Sequence, residues 1–316
     1  EYGNSYVCSP YTAYISYAEA ELGLIKSSSQ RALFKALIKI ADKTLKLAKI
    51  NRTLSINNWL VSTNITPNWS AETIQSLTTP LLKNYPNHSY SIRCSSGSHH
   101  AELIQHLKKA GWHLVPARQV YLFDNKQRHW WKRSNTKRDQ ILLKKTKLLQ
   151  VPPEAHCQED FVDIHQCFHK LFIEKHSAYN PQFSAEFLYE MHQSGLMEFH
   201  SFRDPTDQRI IASIALFTQQ EIITTPMAGY DTAMPKELGL YRLIMAVLLK
   251  QTYDSGKTMN LSSGAGSFKR SRGGQATLEY TAFYCKHLPC VQQTIMTIFA
   301  KTLNQFAPKV FRDNEI

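Results

Sequence analysis

Two segments of the sequence combine glycine with basic side chains, a composition that suits phosphate binding. The first is Lys236–Gly239 (KELG), which precedes an apolar stretch of helical character. The second is Gly264–Ser267 (GAGS), which is followed by three cations, Lys269, Arg270 and Arg272. The first N–H groups of a helix have no partner within the helix, and the helix dipole is positive there, so anions bind well. The sequence therefore predicts a phosphate-binding centre in the last third of the chain. The alternatives are an ordinary helix cap and a solvent-exposed basic loop.

Other pairs of reactive side chains predict less. His165 and His169 have the i, i+4 spacing of two metal ligands, but no third ligand is evident, so we interpret them as polar-face histidines and expect no metal. Cys157 adjoins His156, yet neighbours on the chain need not face one another. No P-loop, Gly-x-Ser-x-Gly elbow or dinucleotide fingerprint occurs in the sequence.

Length and composition favour a two-domain globular protein with an anionic partner. The chain has 316 residues, 43% of them hydrophobic, and a net charge of +12. Domains commonly hold about 100–150 residues, so two are expected. No apolar run approaches the ~20 residues of a membrane span. The six cysteines are scattered and no secretory signal is visible, which favours reduced thiols and a cytoplasmic location.

The first half predicts helices with basic faces, then alternating strands and helices. A helix over 29–48 places apolar residues on one side and lysines on the other. We interpret it as a domain helix with a solvent-exposed basic face, rather than a membrane-surface helix. A strand is predicted over 54–62, and a helix over 100–110 with Gly111 after it precedes a strand over 113–123. Residues 124–140 are polar and basic, and they predict a boundary between domains 1–135 and 136–316.

The second half predicts helices, then antiparallel strands, then a strand–helix–strand crossover. A long amphipathic helix is expected over 158–176. The remaining elements are three strands over 197–202, 209–218 and 221–229, a helix over 240–254, strands over 258–261 and 277–285, and a last helix over 291–306.

This order, with its loop residues, resembles the GNAT acyltransferase superfamily, in particular its FemABX-like and BioF2- or CelD-like branch. Ala228–Asp231 (AGYD) looks like the branch's strand-end segment, and Lys236-x-x-Gly239 resembles its basic-x-x-Gly-x-Gly pyrophosphate loop, with Tyr241 in place of the second glycine. Thr258–Ala265 with Phe268-Lys269 resembles its Gly-x-x-aromatic-Lys segment. The resemblance covers about residues 197–284. It implies an α/β (α+β) fold of two GNAT-like lobes, each a mixed, mostly antiparallel sheet flanked by helices, the first lobe degenerate.

The resemblance also implies a reaction and a donor. An enzyme of this kind is an N-acyltransferase that moves an acyl group from an acyl-CoA, or from the thioester of an acyl carrier protein, to the amine of a small-molecule or amino-acid-like acceptor. The residues expected to bind the cofactor are Lys236, Leu238, Gly239, Leu240, Gly264 and Arg270. Tyr241 narrows the approach that glycine would permit, and this makes the identity of the donor the open question.

Acyl transfer to an amine needs oxyanion stabilisation and proton transfer. We expect Lys269 to stabilise the oxyanion or to bind a phosphate of the acceptor. Asp231 and Glu198 are the candidate general bases, and Tyr230 or Tyr284 could return a proton to the leaving thiolate. The alternative for the acids and tyrosines is a role in packing and capping.

Two other functions fit the same resemblance. FemABX-like enzymes use aminoacyl-tRNA, and the basic stretches at 26–50 and 126–147 would suit a nucleic-acid backbone. The helical hairpin that some members use for tRNA is absent here, so tRNA is the less favoured partner. A GNAT-shaped binding module without catalysis is the third interpretation, supported by the missing second glycine.

Overall fold

The structure is a computed structural model that describes residues 2–126 and 128–314, and it contains two compact units. Unit 1 consists of the residues up to Val120 together with those from Thr277 onward, and unit 2 is Tyr121–Ala276. The units are therefore bounded differently from the predicted domains, because the last strand and helix return to unit 1. The domain ranges 1–135 and 136–316 stay a prediction.

Helices and strands alternate along most of the described chain. The α-helices are α1 (Tyr17–Ala20), α2 (Ser28–Leu47), α3 (Ala71–Asn84), α4 (Ala101–Ala110), α5 (Ser134–Lys145), α6 (Asp160–Phe168), α7 (Ala185–Gln193), α8 (Leu240–Ser255), α9 (Gly266–Ser271) and α10 (Cys290–Asn314). The strands are β1 (Thr53–Ile56), β2 (Ser89–Ser96), β3 (His113–Phe123), β4 (Leu149–Val151), β5 (Glu198–Arg203), β6 (Ile210–Gln219), β7 (Ile222–Tyr230), β8 (Thr258–Asn260) and β9 (Gln275–Tyr284). Short 3-10 or π-helical segments are Thr12–Ser16, Glu21–Leu24, His129–Lys132, Pro153–Ala155, His169–Glu174 and Lys236–Leu238.

Unit 1 is a mixed sheet with helices on both faces. Strand β1 is parallel to β2, and β2 is antiparallel to β9. Ala282 belongs to the core that β2 shares with α3 and α4, and its neighbour Phe283 belongs to the core shared with α2 and α10. Successive strand residues point to opposite faces, so the two pairs of helices cover the two faces. Gly111 ends α4 with φ 88°, as the sequence predicted.

Unit 2 contains the strand–helix–strand crossover. The strand order is β3-β8-β7-β6-β5-β4, in which only β7 and β8 are parallel. Helix α8, which connects these two strands, is buried on most sides and supplies much of the core. Helix α6 packs so closely on β7 that a side chain at Gly229 would lie 2.5 Å from the Phe168 amide.

The predicted α/β class, with mixed sheets flanked by helices, is confirmed, and so is the order of the crossover. Residues 124–140, predicted to hold the domain boundary, include a 3-10 turn and most of α5. One local prediction was wrong. The strand predicted over 54–62 ends at Ile56, because Asn57 and Leu60 take positive φ angles that break an extended strand.

Among the described residues, no helix combines the length and the apolar character needed to cross a membrane.

Candidate functional site

In unit 2 the parallel strands β7 and β8 run side by side for a short distance only. The register extends from Ile222 paired with Thr258 to Thr224 paired with Asn260, where β8 ends. Strand β7 continues to Tyr230. Ligands in α/β sheets commonly bind outside the carboxyl ends of such strands, since the connecting loops leave the sheet there. The space beyond the end of β8 is therefore the candidate site.

Helix α8 begins in the loop that follows β7, and no side chain caps its first turn. Gly239 precedes the helix with φ 61° and ψ 36°, a left-handed conformation that favours glycine. A side chain there would also press on Leu142, 3.0 Å from the position of a Cβ atom. The amide groups of this turn are thus available to an anion.

The residues around Gly239 take different positions. Lys236 is exposed at the start of the 3-10 turn, whereas Leu238 is partly buried against the core and Leu240 is buried in it. The two leucine side chains therefore pack, and only their backbone could reach a ligand. A direct role in cofactor binding stays a prediction for all of them.

The side chain of Tyr241 occupies an aromatic cluster. Its ring lies 4.8 Å from that of Phe268 in α9 and 6.3 Å from that of Tyr230 at the end of β7. Burial raises the pKa of Tyr241 to about 12, so the phenol stays neutral at physiological pH. Where the resemblance would place a glycine, this protein has a ring that packs between α8, α9 and β7.

Lys269 holds the loop that leaves β8. Its side chain is 4% exposed, and Nζ donates to the carbonyl oxygens of Leu261 and Ser263, each at 2.7 Å, and to that of Ser262 at 3.3 Å. Lys269→Ala would leave these buried acceptors without their donor, so we expect lower stability as well as lower turnover. Its role in stabilising an oxyanion stays a prediction. The observed hydrogen bonds show that Lys269 orders the loop after β8.

The glycine-rich segment before Lys269 is a tight turn into a short helix. Gly264 has φ 77° and Ala265 φ 49°, and α9 then begins at Gly266. Arg270, a predicted cofactor contact, is partly buried and donates to Tyr121 Oη at 3.3 Å. Its contact with a cofactor stays a prediction.

A buried carboxylate links α5 to α8 and to the residue that follows α9. Asp139 accepts from Arg242 Nε at 2.7 Å and from Arg272 Nε at 2.5 Å, and its side chain is wholly buried. Arg272 is 8% exposed, whereas Arg242, in the first turn of α8, is 43% exposed. Two guanidinium groups share one carboxylate. The cluster therefore keeps a net positive charge beside the uncapped start of α8.

The sequence reasoning missed Asp139 because it searched for apolar periodicity. Thr136, Asp139 and Leu143 are the buried residues of α5, and their i, i+3, i+7 spacing is helical although two of them are polar. Buried acids are uncommon unless they are paired. The two downstream arginines were the available signal, because each could supply such a partner.

Asp231, the first candidate base, is buried and ion-paired at the end of β7. Its carboxylate contacts Lys170 Nζ at 2.9 Å and accepts from the Ala233 amide at 3.0 Å. Burial opposes ionisation, but these two hydrogen bonds and the charges of Lys170 and Arg209 together outweigh it and lower the pKa of Asp231 below its ordinary value. A lowered pKa makes a weaker base, so the geometry favours a capping role.

The other acid–base candidates do not gather around Asp231. Glu198 is exposed at the start of β5 and pairs with Leu216, while Asp231 follows the far end of β7, two strands away. Tyr230 is near the site and receives a hydrogen bond from Lys175 Nζ at 3.5 Å. Tyr284 belongs to unit 1, where its ring stacks on those of Tyr90 and His287.

The histidine and cysteine pairs noted in the sequence make other contacts in the structure. In residues 2–126 and 128–314, no group of three or more His, Cys, Asp or Glu side chains could hold a metal ion. His169 Nδ1 lies 3.1 Å from Glu174. His156 Nε2 lies 2.8 Å from Ser201 Oγ, so this nitrogen hydrogen-bonds to Ser201 and not to the Cys157 thiol.

Comparison with known proteins identifies the fold. No family model and no curated protein matches the sequence. Solved structures do match. FemX shares 9% identity over 77% of this chain and 82% of its own, with a TM-score of 0.56. The C-terminal domain of a putative lysylphosphatidylglycerol synthetase from Agrobacterium fabrum shares 11% identity over 74% and 79%, with a TM-score of 0.52. A tandem GNAT protein from the clavulanic acid pathway shares 8% over 67% and 69%, with a TM-score of 0.42. The chain thus has a GNAT-like fold with FemABX-like structural relatives.

Proposed function

We propose that the protein is an N-acyltransferase that takes an acyl group from the thioester of a coenzyme A and transfers it to an amine. The observation that carries the proposal is the uncapped first turn of α8, with Gly239 before it and Arg242 in it, beside the open end of β8. That arrangement combines free amides, a helix dipole and a partly exposed cation, which together suit a diphosphate.

The end of β7 supplies a second binding element. From Thr225 to Tyr230 the strand extends beyond its pairing with β8. An extended ligand with amide groups, such as the pantetheine arm, could pair there by strand addition. The thioester would then lie in the space beyond β8, bordered by the loop that Lys269 holds.

The reaction would form a C–N bond and break the C–S bond of the thioester. The amine attacks the carbonyl carbon, the tetrahedral oxyanion collapses, and the thiol leaves with the proton that the amine loses. In this proposal Tyr230, the candidate tyrosine at the end of β7, gives its proton to the leaving sulfur and takes up the proton that the amine loses. Lys269 positions the loop amides and carbonyls around the reacting group.

Ligand-dependent thermal stability tests the proposal. A ligand that binds only the native state raises its stability, so saturating CoA should raise the Tm of the full chain by several degrees. Arg242→Ala should weaken CoA binding by about tenfold, the cost of one charged hydrogen bond. Lys250→Ala is the matched control, because Lys250 lies about two turns further along the same helix and is 52% exposed.

Two results would contradict CoA binding at the start of α8. If CoA leaves the Tm unchanged, or if both variants bind CoA as the unmodified chain does, the α8 site does not hold the donor. A transfer assay with acetyl-CoA and a panel of amines, followed by mass spectrometry, then identifies the acceptor for a chain that passes the binding test.

An aminoacyl-tRNA donor is the second candidate. It is favoured by the similarity to FemX and by Tyr241, whose ring occupies space beside the α8 start. Binding of tRNA that falls steeply with salt, together with no response to CoA, would select this donor. No response to either ligand would favour a binding module without catalysis.

A further inference from the structure

Helix α2 of unit 1 presents three aliphatic side chains to solvent at regular intervals. Leu33 is 53% exposed, Ile40 62% and Leu47 63%. Each follows the previous one by seven residues, which is close to two helical turns, so they share one side of the helix. At 1.5 Å per residue the row is about 21 Å long. Single exposed leucines are normal, but a row on one helix requires an explanation.

The row is separate from the side by which α2 joins the unit. Leu45 is fully buried, and Ile38 and Ala41 pack on the same core, to which α10 contributes Met296 and Ala300. The helix is therefore held on the protein by one face. The exposed row lies on another, so the burial of α2 in its own core does not account for it.

Lysines continue from the exposed row on the side away from the core. At 100° per residue, Lys43 and Lys39 lie about 60° and 100° from Ile40 on that side, and Lys35 lies about 140° from it, nearer the core-facing residues; all three are exposed. Asp42 is the one acid between residues 26 and 50, and Lys46 Nζ holds it at 2.7 Å. We call Leu33, Ile40 and Leu47 with these three lysines the outer face of α2.

The composition of this face decides between partners. A second copy paired as a coiled coil would need apolar residues three or four positions after each member of the row. Lys43 follows Ile40 at three positions and Thr44 at four, and two such faces would repel through their lysines. A nucleic acid would use the lysines but leave the aliphatic row in water. An anionic bilayer accommodates both the aliphatic row and the lysines. The row would be buried at the boundary between the headgroups and the acyl chains, while the lysine side chains extend to the lipid phosphates.

We propose that the outer face of α2 binds an anionic membrane surface, with the helix lying in the plane of the interface. The proposal is independent of the acyl-transfer function. It revises the sequence interpretation, which favoured a domain helix over a membrane-surface helix, because α2 packs on the core by one face and exposes an aliphatic row on another.

Co-sedimentation of the full chain with vesicles tests this surface. Vesicles of phosphatidylcholine and phosphatidylglycerol at 3:1 should retain the protein, and pure phosphatidylcholine vesicles should retain far less. Substituting the row (L33S/I40S/L47S) should lower the partition coefficient by at least about tenfold. Reversing two lysines (K39E/K43E) should lower it by about 25-fold or more, since each lysine near an anionic surface contributes roughly fivefold.

Two controls separate this face from general charge and hydrophobicity. Val162→Ser removes an aliphatic side chain that is 52% exposed on α6, next to Asp160 and Asp163. K144E/K145E changes the net charge as much as K39E/K43E does, on exposed residues of α5. Both should bind as the unmodified chain does, and every variant should keep its Tm. Three results would overturn the proposal: an equal loss of vesicle binding in K144E/K145E, unchanged vesicle binding of L33S/I40S/L47S, or no binding of the unmodified chain to anionic vesicles. In the third case, the outer face of α2 would instead suit an acidic protein.

Discussion

Each unit buries a carboxylate against arginine, but the two arrangements differ in stoichiometry. In unit 1, Glu279 is 2% exposed and pairs with Arg118 Nε at 2.7 Å. Arg118 also donates to the Ser62 carbonyl and to Thr63 Oγ1. In unit 2, Asp139 is shared by Arg242 and Arg272. The first arrangement is electrically balanced, whereas the second leaves one positive charge in excess.

The difference in charge distinguishes the structural ion pair of unit 1 from the Asp139 cluster, whose excess positive charge could bind an anion. A buried one-to-one pair contributes little net stability, because desolvation offsets the attraction, yet breaking it is costly. An excess cation is costly to keep unless a ligand or solvent compensates it. Arg242 keeps 43% of its side chain exposed at the start of α8 and so remains accessible to an anion.

The largest effect is expected from Asp139→Asn, which removes the shared acceptor charge. The buried guanidinium of Arg272 then lacks its counter-ion, and the free energy of unfolding should fall by about 3–5 kcal/mol. Adding Arg242→Met should not restore stability, because Arg272 is still buried. Urea denaturation followed by circular dichroism measures both, and a double variant as stable as the unmodified chain would contradict the sharing of Asp139.

A smaller net effect should result from the balanced pair when both partners are replaced. Arg118→Met alone should cost about 3 kcal/mol, since Glu279 is left buried. The R118M/E279M double variant should recover to within about 1 kcal/mol of the unmodified chain. The same denaturation measurement applies. A double variant that loses the sum of the two single costs would show that the residues are not coupled.

A pH dependence is expected at Glu21, whose carboxyl interacts with the charge of Arg118. Burial raises the pKa of Glu21 from its ordinary 4.5 to about 7, and Arg118 opposes the rise only in part. Between these values the folded protein keeps a proton that the unfolded chain has lost. Stability should therefore fall as the pH rises from 4.5 to about 7 and stay lower above it.

The variant Glu21→Gln should remove this decline. Its Tm should equal that of the unmodified chain near pH 4.5 and exceed it at pH 8, as measured by differential scanning calorimetry. Glu19→Gln is the control, because it makes the same change of charge on an exposed residue of α1. Parallel Tm profiles for the unmodified chain and Glu21→Gln would show that Glu21 titrates normally.

Local patterns in the sequence predicted the regular elements well and the polar contacts poorly. The strand over 113–123 and the helix that starts at residue 240 have the predicted bounds or nearly so. Apolar periodicity and the glycines at helix ends, such as Gly111 and Gly256, carry that information.

The contacts of the candidate site depend on residues far apart in the sequence. Asp139 and Arg272 meet across a separation that no local pattern encodes. Lys269 was predicted from its loop, but its engagement with three carbonyls follows from the fold of the chain after β8. Charge and glycine content therefore indicated the region of the candidate site, while the contacts within it required the structure.

The discontinuity of unit 1 has a consequence for biosynthesis. Unit 2 is one continuous segment, so all of its strands are present once Ala276 has left the ribosome. Unit 1 must wait for β9, whose Tyr284 pairs with Tyr90. Contacts between residues this distant in sequence form slowly, and domains generally fold as units during synthesis. We expect the unit that contains the α8 site to mature first, while the early-synthesised part of unit 1 stays incomplete until its last strand arrives.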